Sequence, residues 1–155
     1  MFNSKMVKKD QFLSLKESSM NGSSSVTPKI VRLWWLLRLT YGLLFVVAGA
    51  DKFLNMVTNW SKYISPMVLI NIPVPMDQLI MAVGILEIFI GLIILSRWTH
   101  FGAHLASLWL LVITGNLLTM GFPFDIAVRD VVMAIGAFAL ALLTKIKEEA
   151  LSTGR

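Results

Sequence analysis

VRLWWLLRLTYGLLFVVAGADKFL, residues 31–54, is an apolar segment that is long enough to cross a lipid bilayer. A hydrocarbon core about 30 Å thick requires about 20 mostly apolar residues at about 1.5 Å per residue. Leu33–Leu54 provides that length. We therefore predict a membrane-spanning helix over these residues.

Two cations lie on one face of this predicted helix. At about 100° per residue, Arg38 and Lys52 share a stripe with Gly42, Phe45 and Gly49. A charge at the bilayer centre costs about 2.5–3.5 kcal/mol, so this stripe must face protein or water rather than lipid. Glycines on such a stripe allow a neighbouring helix to approach closely.

The composition of the whole chain is that of a membrane protein. Of its 155 residues, 56% are hydrophobic and 15% are charged, whereas soluble domains are about 25% charged. The chain has no cysteine, which excludes disulfides, thiolate catalysis and thiolate metal centres within it. The net charge of +5 comes from lysines and arginines that cluster next to the apolar segments. This placement is typical of loops beside anionic lipid, so we predict a lipid bilayer and no nucleic acid as partner.

Three further apolar segments follow, at about residues 76–96, 99–120 and 126–146. The connections between these segments are short, which makes neighbouring spans antiparallel. We therefore predict an all-α polytopic membrane protein. Its transmembrane domain, residues 31–147, is an up-down bundle of four transmembrane helices, the first over about residues 33–54.

The segments that flank the predicted bundle are polar. Residues 1–30 are rich in serine and lysine and are predicted to form a disordered cytoplasmic tail, or alternatively a weak amphipathic helix on the headgroups over Lys5–Leu15. Residues 148–155 are predicted to form a cytoplasmic C-terminal tail. A signal peptide with its core at Leu33–Val47 is disfavoured, because the charged region before it is unusually long.

The connection between the first two spans, Asn55–Asp77, contains aromatic residues and prolines. Trp60 and Tyr63 are residue types that prefer the headgroup level of a membrane. The prolines prevent a long helix. We predict an interfacial loop, with a short surface helix over Met56–Ile64.

Lysine and arginine are distributed unequally between the two predicted sides of the bundle. One side has the N-terminal tail, Arg32, Arg97, Lys145, Lys147 and Arg155, and the other has Lys52, Lys62 and Arg129. Because positively charged loops stay in the cytoplasm, we predict both termini to be cytoplasmic and the Asn55–Asp77 connection external. The predicted location is the bacterial inner membrane.

Glu87 lies near the middle of the second span, on the same face as Gly84 and Gly91. A carboxyl group at that depth must be neutral or paired with a cation, and Arg38 or a protonated His104 is the predicted partner. Two interpretations remain open. Glu87, Arg38 and His104 form either an ion pair that fixes helix register or a group that handles protons or a ligand.

A second charged group is predicted at the outer ends of the first and fourth spans. Asp51, Lys52, Arg129 and Asp130 share a depth and are candidates for a cofactor-binding network. The simpler interpretation is that they anchor helix ends. In particular, Asp130 in a first helical turn suits the positive end of the helix dipole.

His100 and His104 have the four-residue spacing of a pair of metal ligands on a helix. Two ligands are too few for a stable site, and no carboxylate lies between them as in metalloproteases. We therefore predict no metal site here.

Three motifs in the spans match the pattern of a known membrane protein family. They are RLTYGLLFVVAGADKF at residues 38–53, GILEIFIGL at residues 84–92, and Arg129-Asp130 before an alanine-rich last span. With these motifs the chain resembles the DoxX family over Arg32–Thr144. The MauE-like group of methylamine-utilisation proteins is the nearest alternative.

The resemblance to the DoxX family implies a four-helix membrane protein, and some members are subunits of quinone-linked oxidoreductases. We predict a small subunit or accessory factor of a membrane redox complex, with quinone as the cofactor and redox proteins as partners. If the chain is catalytic, it acts as such a subunit. The alternatives are a non-catalytic scaffold and, less favoured because repeats and broken helices are lacking, a small-solute transporter built as a homo-oligomer.

The predicted topology is testable with single cysteines, because the chain has none of its own. With an impermeant thiol reagent on intact cells, we expect labelling of Asn59→Cys but not of Ser24→Cys or Ser152→Cys. All three variants should be labelled after permeabilisation, which is the control. Labelling at Ser24→Cys together with protection at Asn59→Cys would invert the topology.

Overall fold

A computed structural model of the protein describes residues 3–54, 56, 59–72, 74–121 and 124–153, with side chains described at residues 9, 11–14 and onward from residue 28. The elements of regular structure in this part of the chain are helical. They are α1 (Asn3–Leu54), a 3-10 helix (Trp60–Tyr63), α2 (Pro66–Asn71), α3 (Met76–Leu95), α4 (Thr99–Thr119) and α5 (Phe124–Thr153).

Four of these helices contain segments that are long and apolar enough to cross a membrane. The segments are Pro28–Leu54, Met76–Leu95, Thr99–Thr119 and Phe124–Ser152. They confirm the predicted all-α polytopic architecture. Helix α5 continues beyond the predicted span to Thr153, because the polar residues there contain no glycine or proline before Gly154.

The backbone of residues 3–29 continues α1, whereas the sequence predicted a disordered tail there. Pro28 lies inside this helix, where it lacks a backbone N–H and removes one helical hydrogen bond without ending the helix. The cytoplasmic location of the tail and the domain boundaries at residues 30 and 147 stay predictions.

The backbones of α1 and α3 are in direct contact at two pairs of glycines. A Cβ added to Gly49 would lie 2.6 Å from the carbonyl oxygen of Gly84, and one added to Gly91 would lie 2.7 Å from that of Gly42. The first two spans therefore pack closely through these four glycines. Helices in lipid gain little from the hydrophobic effect when they associate, so the dispersion contacts made by this close approach help to hold α1 and α3 together.

Helices α4 and α5 also pack on small residues. Their buried alanines are Ala103 and Ala106 of α4 and Ala127, Ala134, Ala137 and Ala141 of α5, each at most 2% exposed. The bundle is closed by contacts of α3 with α4 and of α1 with α5. Large side chains instead cover the outer surface, where Leu36, Ile85, Leu108 and Val132 are each more than 60% exposed. This arrangement places an apolar surface against the bilayer.

The connection between α1 and α3 folds over one end of the bundle, which we call the connection end. Asn116 of α4 holds it there: its side chain accepts a hydrogen bond from the backbone of Ser65 at 3.1 Å and donates one to the carbonyl of Tyr63 at 2.6 Å. Part of the predicted surface helix is present as the 3-10 helix. Ser65 is the N-cap residue of α2, and its hydroxyl accepts a hydrogen bond from Val68 N–H.

Substitution of Gly49 by alanine tests the contact between α1 and α3. The new methyl group meets backbone atoms that cannot move aside, so we expect Gly49→Ala to lower stability by roughly 1–3 kcal/mol. Thermal unfolding in detergent measures the effect.

Gly115→Ala is the matched control, because a Cβ at Gly115 has no atom within 4 Å. Alanine is the better helix former by about 1 kcal/mol, so this variant should unfold at the same or a higher temperature. Equal stability of Gly49→Ala and wild type contradicts the packing.

Candidate functional site

The bundle contains a cavity of about 770 Å³ at its connection end, lined by all four spans and by the connection. Most of its wall is apolar. The polar side chains that line it are Lys52, Trp60, Tyr63, Glu87, Trp109, Asn116, Arg129 and Asp130. Its volume is within the range of small-molecule sites, about 300–1,000 Å³, and an apolar wall with a few polar groups is typical of such sites.

A buried ion pair forms part of the cavity wall. Lys52 Nζ lies 2.5 Å from Glu87 Oε2, and the two side chains are 7% and 5% exposed. Trp109 Nε1 donates a weaker hydrogen bond to Glu87 Oε1 at 3.4 Å, and the Lys52 ammonium lies 3.7 Å from the centre of the Trp60 ring. The ammonium and the carboxylate therefore compensate each other within the apolar interior.

The helix register explains why Lys52 reaches Glu87. Helices α1 and α3 are antiparallel, with Gly49 opposite Gly84, and side chains on a helix lean towards its N-terminus. Lys52 therefore leans into the bundle, and Glu87 leans towards the connection end. The two charged groups converge although their backbones lie at different depths.

The predicted pairing of Glu87 with Arg38 is wrong. Arg38 lies opposite the C-terminal end of α3. Its Nε donates a hydrogen bond to the carbonyl of Ile94 at 3.0 Å, and its Nη2 donates to the carbonyls of Leu95 and Ser96. The last carbonyls of a helix have no partner within the helix and favour a nearby cation. Arg38 therefore caps α3, and its guanidinium stacks on Trp34 and Trp35.

His104 also lies away from Glu87. Its ring contacts that of His100 at a centroid distance of 4.7 Å and that of Phe138 at 5.6 Å. The predicted group of Glu87, Arg38 and His104 is thus separated in the structure, because only Glu87 lies at the cavity.

The structure divides the predicted outer charge group. Lys52, Arg129 and Asp130 line the cavity together with Glu87. Asp51 instead holds the connection, because its carboxylate accepts hydrogen bonds from Trp60 Nε1 at 2.8 Å and from the backbone of Met56 at 3.1 Å.

Asp130 is 7% exposed and lies close enough to Lys52 and Glu87 to interact with their charges. Because α5 begins at Phe124, Asp130 lies in the second turn, whereas the helix dipole acts within the first. The helix dipole therefore does not explain why a carboxylate is buried here.

Trp109 is a cavity residue that the sequence interpretation missed. It lies in the third span between Leu105 and Thr114, and its indole N–H is its only polar group. A buried indole N–H normally has a hydrogen-bond acceptor, so a tryptophan in the middle of a span indicates a buried acceptor on a neighbouring helix. Here that acceptor is Glu87.

Comparison with known proteins gives a match to a family model. The model, described as DoxX, matches residues 33–121, which is more than half of the chain. Lys52, Glu87 and Trp109 lie inside the matched range, and Asp130 lies beyond it. Neither the curated proteins nor the solved structures give a significant match.

The Lys52–Glu87 pair is testable by a double-mutant cycle. Lys52→Met or Glu87→Gln alone leaves one buried charge without its partner, which typically costs about 3–5 kcal/mol. The double variant removes both charges, so no buried charge is left without its partner, and the loss of a whole buried ion pair costs far less than the loss of one member. We therefore expect the double variant to recover most of the thermal stability in detergent.

Lys62→Met is the matched control for this cycle, because Lys62 is an exposed lysine of the connection. It should leave the unfolding temperature unchanged. Single variants as stable as wild type would show that the pair has no structural role.

Proposed function

The chain belongs to the DoxX family of membrane proteins, and from this premise we propose that it binds a quinone as a small subunit or accessory factor of a membrane redox complex. The observation that carries the proposal is the cavity at the connection end, which combines an apolar wall with a buried Lys52–Glu87 pair. If the chain takes part in catalysis, it does so as a subunit of a quinone-linked oxidoreductase.

The chemistry of the cavity suits a quinone head group. Such a head group is a flat ring with two carbonyl oxygens and an apolar tail. The Lys52 ammonium has three N–H donors and uses one on Glu87, so it can donate another to a quinone carbonyl. Trp60, Tyr63 and Trp109 provide aromatic surfaces for the ring, and aromatic pairs prefer offset-stacked or edge-to-face contact.

We infer that a route from the bilayer to this cavity lies between α2 and α4. A second cavity of about 320 Å³ lies there and shares Val68, Ile72, Val112 and Asn116 with the larger one. Gly115 on its wall leaves open space where other residues have a side chain. A lipid-soluble ligand can approach through this gap without crossing water.

The position of the cavity suggests where redox partners would bind. The connection end is the side that the distribution of lysine and arginine predicts to be external. A partner protein that exchanges electrons with a bound quinone would therefore approach from outside the cytoplasm. This orientation depends on the topology prediction made from the sequence.

A non-catalytic scaffold is the second candidate. It is supported by the hydrogen bonds that Lys52 and Trp109 both donate to the Glu87 carboxylate, which need no ligand. In that case the charges fix the register of α1 on α3. The two candidates differ in whether the cavity is occupied in the membrane.

Quinone binding is testable on protein purified with native lipids. We expect extraction to yield a bound quinone, and short-chain ubiquinone or menaquinone analogues to quench tryptophan fluorescence saturably, because Trp60 and Trp109 line the cavity. Ile113→Trp fills part of the cavity and should weaken binding by roughly tenfold, which corresponds to about 1.4 kcal/mol.

Leu111→Trp is the matched control, because Leu111 lies on the same helix but is 48% exposed and does not line the cavity. It should bind quinone as wild type does. A wild-type protein with no extractable quinone and no saturable binding would reject the proposal and leave the scaffold.

A further inference from the structure

The larger cavity contains a carboxylate that has no partner within the described part of the chain. Asp130 is only 7% exposed. No hydrogen bond or ion pair to its side chain is found among the described residues. Its oxygens are not sealed in the packed interior but reach the cavity. A carboxylate that borders a mostly apolar cavity requires a hydrogen-bond donor from within that cavity.

The neighbouring donors do not provide that explanation. Lys52 pairs with Glu87, Trp60 donates to Asp51, and Trp109 donates to Glu87. Arg129 precedes Asp130 directly on α5 and its charge acts on the Asp130 carboxylate, but the two side chains form no ion pair among the described residues. Asp130 is therefore an acceptor that is available to a ligand in the cavity.

We infer that the cavity binds the reduced form of the quinone, the quinol, more tightly than the oxidised form, with Asp130 accepting a hydrogen bond from a quinol hydroxyl. This inference rests on the proposed function, because it specifies the ligand of the same cavity.

The two forms of the ligand differ in the groups that they present to Asp130. A quinone has two carbonyl oxygens and no donor on its ring oxygens, whereas a quinol has two O–H groups. An ionised carboxylate is an acceptor only. A quinone oxygen beside Asp130 therefore places two acceptors together, whereas a quinol hydroxyl forms a charge-assisted hydrogen bond, which is about twice as strong as a neutral one.

The second oxygen of a quinol is also accommodated. A hydroxyl oxygen accepts as well as donates, so the Lys52 ammonium can donate to it as it would to a quinone carbonyl. Lys52 thus binds both forms and Asp130 distinguishes between them. If the quinol binds tenfold more tightly than the quinone, the reduction potential of the bound two-electron couple rises by about 30 mV.

The experiment compares a short-chain quinol with its quinone of identical tail, on the full-length protein in detergent, without oxygen and at mildly alkaline pH. Titration calorimetry measures both dissociation constants. We expect wild type to bind the quinol at least tenfold more tightly. In Asp130→Asn the side chain presents both a donor and an acceptor, so the ratio should fall towards one.

Asp125→Asn is the matched control, because Asp125 is an exposed carboxylate of the same helix that does not line the cavity. It should keep the wild-type ratio. If Asp130→Asn fails to fold, the ratio measured for wild type still decides.

Equal affinity for both forms in wild type, or an unchanged preference in Asp130→Asn, overturns this inference while leaving a quinone site in place. Binding of neither form overturns both the inference and the proposed function. The two failures are therefore distinguishable in one set of titrations.

Discussion

The backbones of α1 and α3 touch where Gly49 meets Gly84 and where Gly42 meets Gly91, and this contact fixes the register of the two helices. The same register determines which charge meets which partner. It brings Lys52 to Glu87 and places Arg38 at the C-terminal carbonyls of α3. A shift by one turn would leave both cations without an acceptor in apolar surroundings, so the glycine contact and the polar contacts stabilise the same arrangement.

The inward charges of the first two spans are compensated by specific partners. Lys52 and Glu87 compensate each other, and Arg38 is satisfied by backbone carbonyls. Because water is scarce at this depth, an uncompensated polar group is more costly than it is at a protein surface. Asp130 differs from these groups, since no partner for its carboxylate is found within the described residues. This contrast separates the partnered charges of the first two spans from a carboxylate that borders the cavity.

The cavity results from the way the connection folds over the bundle. The spans pack closely through glycine and alanine near their middle and towards the Arg97 end. At the connection end, Trp60, Tyr63 and Val68 cover the space between the helices instead. Asn116 anchors this cover by its two hydrogen bonds to the connection. The cavity is therefore enclosed by a short covering segment and not by the helices alone.

The sequence by itself determined the four spans, the glycine stripe and the presence of buried charges at Lys52 and Glu87. Hydrophobic length and helical periodicity are local properties, so they are readable without knowing which helix packs on which. It did not determine the partners: Glu87 was assigned to Arg38 or His104, and Trp109 was not recognised. Only the tertiary structure decided these points and formed the cavity around Asp130, because side-chain partners depend on the register of one helix against another, which no single helix encodes.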